Sequence, residues 1–368
     1  MYLDNAATTP LLPEVKTEII RFLDYYGNPS SKHKEGIVVR EKIEEVRNQV
    51  ADIFSGNPRK VLFTSSGSAS NNLVIHGLND NYMYYYSPTC HKSMRYSCEH
   101  KKYHKEIKVD TNGLIDIKWL EKRLKRFSIK KFVLCYEMAN SELGVYQNSH
   151  LLYELVHKYG GLVVADLTAF LPHIPFYYPQ DQADFYTFSA HKIGALKGVG
   201  IVYVNSKEIL KPLIHGAQED GLFGGTENAI GIISLGAALK HWNLSIQSKF
   251  NKLSHYFVDL IKKNIKDCYI VAENCPNKIP QIMTICFKGV SGEELVILLN
   301  EEGYYISTGS ACNSGSLDLS PTLKAIKMRE KDIPCCVRIS FSAFETISEI
   351  ENFVKVLESK VQILRIFS

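Results

Sequence analysis

Short apolar runs alternate with helical stretches through the first 235 residues, and this alternation limits the architecture more than any other feature of the chain. "VREKIEEVRNQVADIF" puts Val39, Ile43, Val46, Val50 and Ile53 on one helical face. The strand "VLFTS" (61–65) follows, then a Ser/Gly loop and a helix from "SNNLVIHGL". "FVLCY" (132–136) reads as a strand, and "SHLLYELVHKYGG" as a helix closed by Gly160. "LVVAD" (162–166), "DFYTFS" (184–189) and "VGIVYV" (199–204) are further strands. The spacing predicts a mostly parallel sheet covered by helices. Beyond about residue 235 the rhythm changes. A long helical region leads to the strand "IMTICF", a helix opened by Ser291 and Glu294 as a capping box, and the strands "YYIST" and "VRISF" before a last helix. This predicts a smaller α+β unit, with the extreme N-terminus packed against it.

The 368 residues are 45% hydrophobic and 22% charged, with a net charge of +4, as in ordinary soluble globular proteins. No basic run reaches the length of a nucleic-acid or membrane patch, and "HKKYHKEIK" (100–108) reads as solvated surface. "MYLDNAATTP" has neither the charged start nor the apolar stretch of a signal peptide, so the expected compartment is the cytoplasm. No apolar run approaches a membrane span. Nine cysteines show no metal-ligand spacing, so no metal is expected. Cys135 and Cys286 sit in apolar strands and read as core residues, whereas the vicinal Cys335 and Cys336 suggest no role. Cys312 is different. It lies in "STGSACNSGS", among residues that can pack no core.

Ligands of open α/β sheets bind beyond the carboxyl ends of the strands. Three such ends carry polar groups. "SGSASNN" offers backbone N–H groups and hydroxyls at a helix N-terminus, which suits an anion. Asp166 ends "LVVAD", where a carboxylate after four apolar residues needs a donor or a cation; a plain helix cap reads equally well. His191 and Lys192 follow the strand of "TFSAHKIGALKGVG", and a lysine held there can lose its proton and condense with an aldehyde. An anion cradle, a carboxylate and a lysine together are what pyridoxal phosphate (PLP) requires. His91, in "SPTCHKSM", is placed to stack on its ring and move protons.

The ordered motifs "YLDNAATTP", "GNPSSKH", "VLFTSSGSASNNLVIHGL", "NSELGVYQ", "SAHKIGALKGVG", "GGTEN", "STGSACNSGSLDLSP" and "VRISFSAF" make the chain resemble the cysteine desulfurases of the class-V, fold-type I PLP enzymes. Within them it resembles the iron–sulfur assembly group with the longer catalytic loop. The resemblance implies an α/β fold-type I PLP-dependent transferase. A large domain (16–235) would hold a mostly parallel sheet of the seven-stranded type, and a smaller α+β domain (1–15 and 236–368) would carry the catalytic cysteine. It implies Lys192 as the cofactor lysine, Asp166 as partner of the pyridine nitrogen and His91 as the stacking acid/base. Gly67, Ser68, Ser189 and His191 match the phosphate cradle, Ser141 borders the cofactor, and Thr226 would come from the other subunit of a homodimer. Arg338 and Asn28 match substrate-binding positions, and Cys312 the sulfur-accepting nucleophile. The implied reaction turns L-cysteine into L-alanine and passes sulfur as a persulfide to an acceptor protein, with neither membrane nor direct nucleic-acid contact. A tether of small residues suits a thiol that must travel between substrate and acceptor.

Four positions depart from the family pattern. Ser141 stands for a usual Asn, Ala169 for a Gln that contacts the cofactor, and Phe223 and Ala343 each for an Arg. These departures leave two alternatives open: a lyase or transferase of the same fold acting on another amino acid, and a weakly active scaffold that docks partners.

Overall fold

The computed structural model describes residues 1–126, 131–176, 182–242, 247–309, 319–342 and 344–366. Cys312 and Ala343 lie outside them. In chain order the strands are β1 (Val61–Thr64), β2 (Met83–Tyr86), β3 (His104–Glu106), β4 (Phe132–Glu137), the short pair β5 (Ala139–Asn140) and β6 (Val145–Tyr146), β7 (Leu162–Asp166), β8 (Phe185–Ser189) and β9 (Gly200–Val204). A second group comprises β10 (Cys268–Ile270), β11 (Ile282–Phe287), β12 (Ser307–Thr308) and β13 (Cys336–Ser340).

Seven strands form the large sheet in the order β1-β9-β8-β7-β4-β2-β3. Four of its pairings are parallel, β2 with β3, β2 with β4, β4 with β7 and β7 with β8, while β9 runs antiparallel to both β1 and β8. The predicted mostly parallel sheet is therefore present. Two reversals at β9 return β1 to the direction of β8, so the carboxyl ends of β1, β4, β7 and β8 share one edge. β4, β7 and β8 are buried along their whole length, which explains their continuous apolar runs.

Helices cover the sheet as their periodicity dictates. The helix Lys34–Ile53 buries Val39, Ile43, Val46 and Val50, and His33 caps it. The helix Ser149–Lys158 ends where Gly160 and Gly161 donate back to His157 O and Val156 O. Two strands of the large sheet escaped the sequence reading, as did β5, β6 and β10 outside it. β2 is "MYYY", with its last three residues buried, and β3 lies inside the basic stretch read as surface. That reading holds, since all three β3 residues are exposed on a sheet edge blunted by charge.

The second sheet is wholly antiparallel, in the order β10-β11-β13-β12. Ser291 caps the helix Gly292–Glu301 by accepting from Glu294 N, as its capping motif predicts. The helix Ile347–Ile366 buries Ile350, Phe353, Val354, Leu357 and Val361. The N-terminus joins this sheet through bridges Tyr2–Tyr305 and Asp4–Ser340. It then runs on to the large sheet, where Thr9 Oγ1 donates to His191 O and accepts from Gly194 N. Residues 4–9 thus tie the second sheet to the Lys192 turn.

Candidate active site

The carboxyl edge of the large sheet collects the polar groups. Asp166 ends β7 and is 5% exposed, and its register partner on β4 is Glu137. Asp166 Oδ1 accepts from Thr168 N at 2.8 Å and Oδ2 from Asn71 Nδ2 at 2.8 Å. Thr187 Oγ1 donates to Asn71 Oδ1 at 2.6 Å, which fixes the amide's orientation. The same Nδ2 reaches Ser93 Oγ at 3.1 Å, and Ser93 Oγ meets His91 Nδ1 at 2.8 Å. Ser93 N also donates to Nδ1, so this nitrogen accepts and neutral His91 keeps its proton on Nε2. One hydrogen-bonded chain therefore joins Thr187, Asn71 and Asp166 to Ser93 and His91. Asn71 and Ser93 were missed in the sequence. "SGSASNN" was read for its anion-binding backbone, and nothing local says that its first Asn reaches β7.

Lys192 follows β8 in a short 3-10 turn, half-buried, with its ammonium donating to Ala6 O. His191 Nδ1 meets Thr8 Oγ1 at 3.0 Å. Gly67 opens the helix Gly67–Gly77, capped by Ser66. A Cβ on Gly67 would stand 3.1 Å from Ser189 Cβ and 3.5 Å from Thr168 Oγ1. Of the positions expected to form a phosphate cradle, Gly67, Ser68, Ser189 and His191, the structure brings Gly67 and Ser189 together at a helix N-terminus, leaves Ser68 exposed beside Gly67, and engages His191 with Thr8.

Arg338, on β13, is 5% exposed. Its Nη2 pairs with Asp4 Oδ1 at 2.6 Å and its Nη1 donates to Ser141 O at 3.2 Å, while its buried Nε has no partner among the described residues. Arg338, His91 and Ser141 line one pocket of 80 Å³ together with Glu137, Asn140 and Glu142. Gly144 makes the hairpin of "NSELG" possible, because at φ +64° a Cβ there would lie 2.3 Å from Ile282 O. Burial and the neighbouring Asp166 hold the Glu137 carboxyl well above its ordinary range.

Asn28 and Thr226 are not brought to this pocket. Both are exposed, and Pro29, Ser30 and Glu227 beside them line a separate cleft of 780 Å³. Ala169 is 8% exposed within the large-sheet core, and Phe223 packs partly buried against an apolar cluster that includes Leu62 and Leu210. Ser141 meets Arg338 through its backbone carbonyl, a contact the usual Asn would also supply. Cys286 and Cys336 face each other across β11 and β13, and their hydrogen bond pushes the Cys336 thiol far up, so Cys336 is a protonated core residue.

Two histidines, His173 buried and His191 half-buried, resist protonation in the folded protein. Burial, then Lys192 and Lys197, push His191 down to about 4; burial and Lys192 push His173 down to about 3. The unfolded chain binds these protons below about pH 6.5, whereas the folded protein refuses them until far lower. Their contribution to stability is therefore undiminished above about pH 6.5 and is lost as pH drops toward 4, while the raised Glu137 and Glu142 carboxyls act in the opposite sense. Thermal melts between about pH 7.5 and 5 should therefore show the Tm of the wild type falling relative to that of His173→Gln.

The family model for class-V aminotransferases matches residues 1–353. The chain belongs to the class-V aminotransferase family. Its class-V relatives include a cysteine desulfurase IscS from Dictyoglomus turgidum, 32% identical over 382 residues that span 100% of this chain and 96% of that protein. A solved NifS-like protein superposes over 99% of both chains with a TM-score of 0.90 and 28% identity. SspA, solved in complex with cysteine, superposes over 94% of this chain and 99% of its own, with a TM-score of 0.81 and 26% identity.

Proposed function

We propose that this class-V enzyme is a PLP-dependent cysteine desulfurase, converting L-cysteine to L-alanine and taking the sulfur onto Cys312. The observation that carries the reading is the hydrogen-bonded chain from Asp166 through Asn71 and Ser93 to His91, beside a buried Arg338 whose Nε has no partner among the described residues. The relatives named cysteine desulfurase support it.

The residues fit PLP. The N-terminus of the helix Gly67–Gly77, beside Ser189, would offer backbone N–H and hydroxyl donors to a phosphate, Asp166 would hold the ring nitrogen, and Lys192 Nζ would hold the aldehyde carbon. When bound, the cofactor supplies an electron-withdrawing ring that stabilises negative charge at the substrate α carbon. Asn71 and Thr168 N hold the Asp166 carboxylate in place. Arg338 binds the substrate carboxylate through Nε, already oriented by Asp4 and Ser141 O. Lys192 Nζ, released when the substrate amine takes its place, is then a free amine and takes the α proton. Cys312, as thiolate, forms an S–S bond while the substrate C–S bond breaks, and His91 Nε2 supplies the proton that completes alanine.

The fuller assignment has a homodimer in which exposed Thr226 serves the phosphate cradle of a second copy. The large domain would span 16–235, and the small one 1–15 with 236–368. The persulfide would pass to an acceptor protein of iron–sulfur assembly in the cytoplasm. The basis is the family resemblance, together with the separation of Thr226 and Asn28 from the His91 pocket.

Incubating the PLP-loaded protein with L-cysteine and a thiol reductant should yield alanine and sulfide in equal amounts. Turnover of another amino acid in place of cysteine would overturn the reading. Asn71→Ala should lower kcat about tenfold, the scale of one hydrogen bond to a charged group, with KM nearly unchanged.

A further inference from the structure

Glu142 is a buried carboxylate that no step above uses. It is 7% exposed and sits in the turn between β5 and β6. Its backbone is fixed on three sides: Glu142 N and Leu143 N donate to Asn140 Oδ1 at 3.0 and 2.6 Å, and Thr284 Oγ1 donates to Glu142 O at 2.6 Å. Its side chain lines the same pocket as His91 and Arg338.

The two carboxylate oxygens address two distant parts of the chain. Oε2 accepts from Ser320 Oγ at 2.8 Å. Ser320 Oγ in turn accepts from Leu323 N at 3.2 Å, capping the helix Pro321–Ala325, so both functions of this hydroxyl are used. Oε1 has no partner among the described residues and faces Gly309, where a Cβ would stand only 2.0 Å away. A side chain at position 309 would require the Glu142 carboxylate to move. Gly309 and Ser320 flank in sequence the stretch that contains Cys312.

We propose that Glu142 is a positioning residue for sulfur transfer, one carboxylate hydrogen-bonded to Ser320 and packed against the Gly309 backbone, the two residues that flank the Cys312 stretch in sequence. The proposal rests on the desulfurase reading. Burial pushes the Glu142 carboxyl up to about 7, against the opposing pull of Ser320, Arg338 and Thr322. A carboxylate kept at that burial costs stability unless it is used. The hydrogen bond from Ser320 is the contact that uses it.

The test is a double-mutant cycle on the PLP-loaded enzyme, with Glu142→Ala, Ser320→Ala and the pair, read as steady-state alanine formation. Each single variant should lower kcat about tenfold with KM for L-cysteine within about twofold of wild type. The pair should lose no more than either alone, because both break one bond. Glu142→Gln, which keeps an acceptor oxygen for Ser320, should recover most of the rate. Peptide-resolved alkylation gives a second readout: Cys312 should change its labelling rate in Glu142→Ala, while Cys335 should not. Additive losses, a raised KM at unchanged kcat, or unchanged kcat and labelling in Glu142→Ala would overturn the proposal while leaving a desulfurase in place. No alanine from the wild type would instead overturn the desulfurase reading, and the proposal with it. Tm of each variant identifies any that is unfolded, and Ser320→Ala, the smaller change, then decides.

Discussion

Asp166→Asn should remove nearly all activity while leaving the fold intact. The carboxylate is buried and accepts one bond from Asn71 Nδ2 and one from Thr168 N. An amide can satisfy Thr168 with its oxygen, but its nitrogen then opposes Asn71 Nδ2, donor against donor. The chain to Ser93 and His91 breaks at that point, and the cofactor ring loses its anionic partner. We expect kcat to fall on the order of 10²–10³-fold, the scale of removing one preorganised electrostatic partner. A loss below about fivefold, with Tm unchanged, would show that Asp166 is only a structural cap.

Arg338→Ala should raise KM for L-cysteine about 100-fold, as expected when a charge-assisted hydrogen bond worth about 3 kcal/mol is lost. It should also lower stability, because Asp4, whose side chain is 19% exposed, is left without its cation. Arg338→Lys separates the two effects. A lysine keeps a charge near Asp4 but cannot present a planar fork, so stability should return further than KM does. Calorimetry for Tm and initial rates for KM check both parts. If KM is unchanged in Arg338→Ala, the substrate carboxylate binds elsewhere.

Much of this was legible in the sequence where one local signal decided the outcome. The Val39–Val50 face, the buried strands β4, β7 and β8 and the Ser291 cap all followed from periodicity or capping chemistry. Asp166, Lys192 and Gly67 stood out because they follow strands, and the fold brings those strand ends to one edge. What stayed hidden depends on contacts between distant residues. The strand "MYYY" has no alternation to reveal it, being buried only by its neighbours in the sheet. Asn71 looked like one more polar residue of a small-residue loop until Thr187 and Asp166 were found on either side of it. Glu142, in "NSELG", gave no sign of burial, since Gly309 and Ser320 reach it from more than 160 residues away. The departures at Ala169 and Phe223 became packing positions once seen in place.

The central claim is that this fold delivers substrate sulfur to Cys312. The most direct measurement is a single turnover of L-cysteine by the PLP-loaded Cys312→Ala variant beside the wild type, with alanine and protein-bound persulfide both quantified. The account predicts one alanine and one Cys312 persulfide per active site in the wild type, and neither in the variant. Alanine formed at wild-type rate by Cys312→Ala would contradict it, because the C–S bond would then break without that thiol.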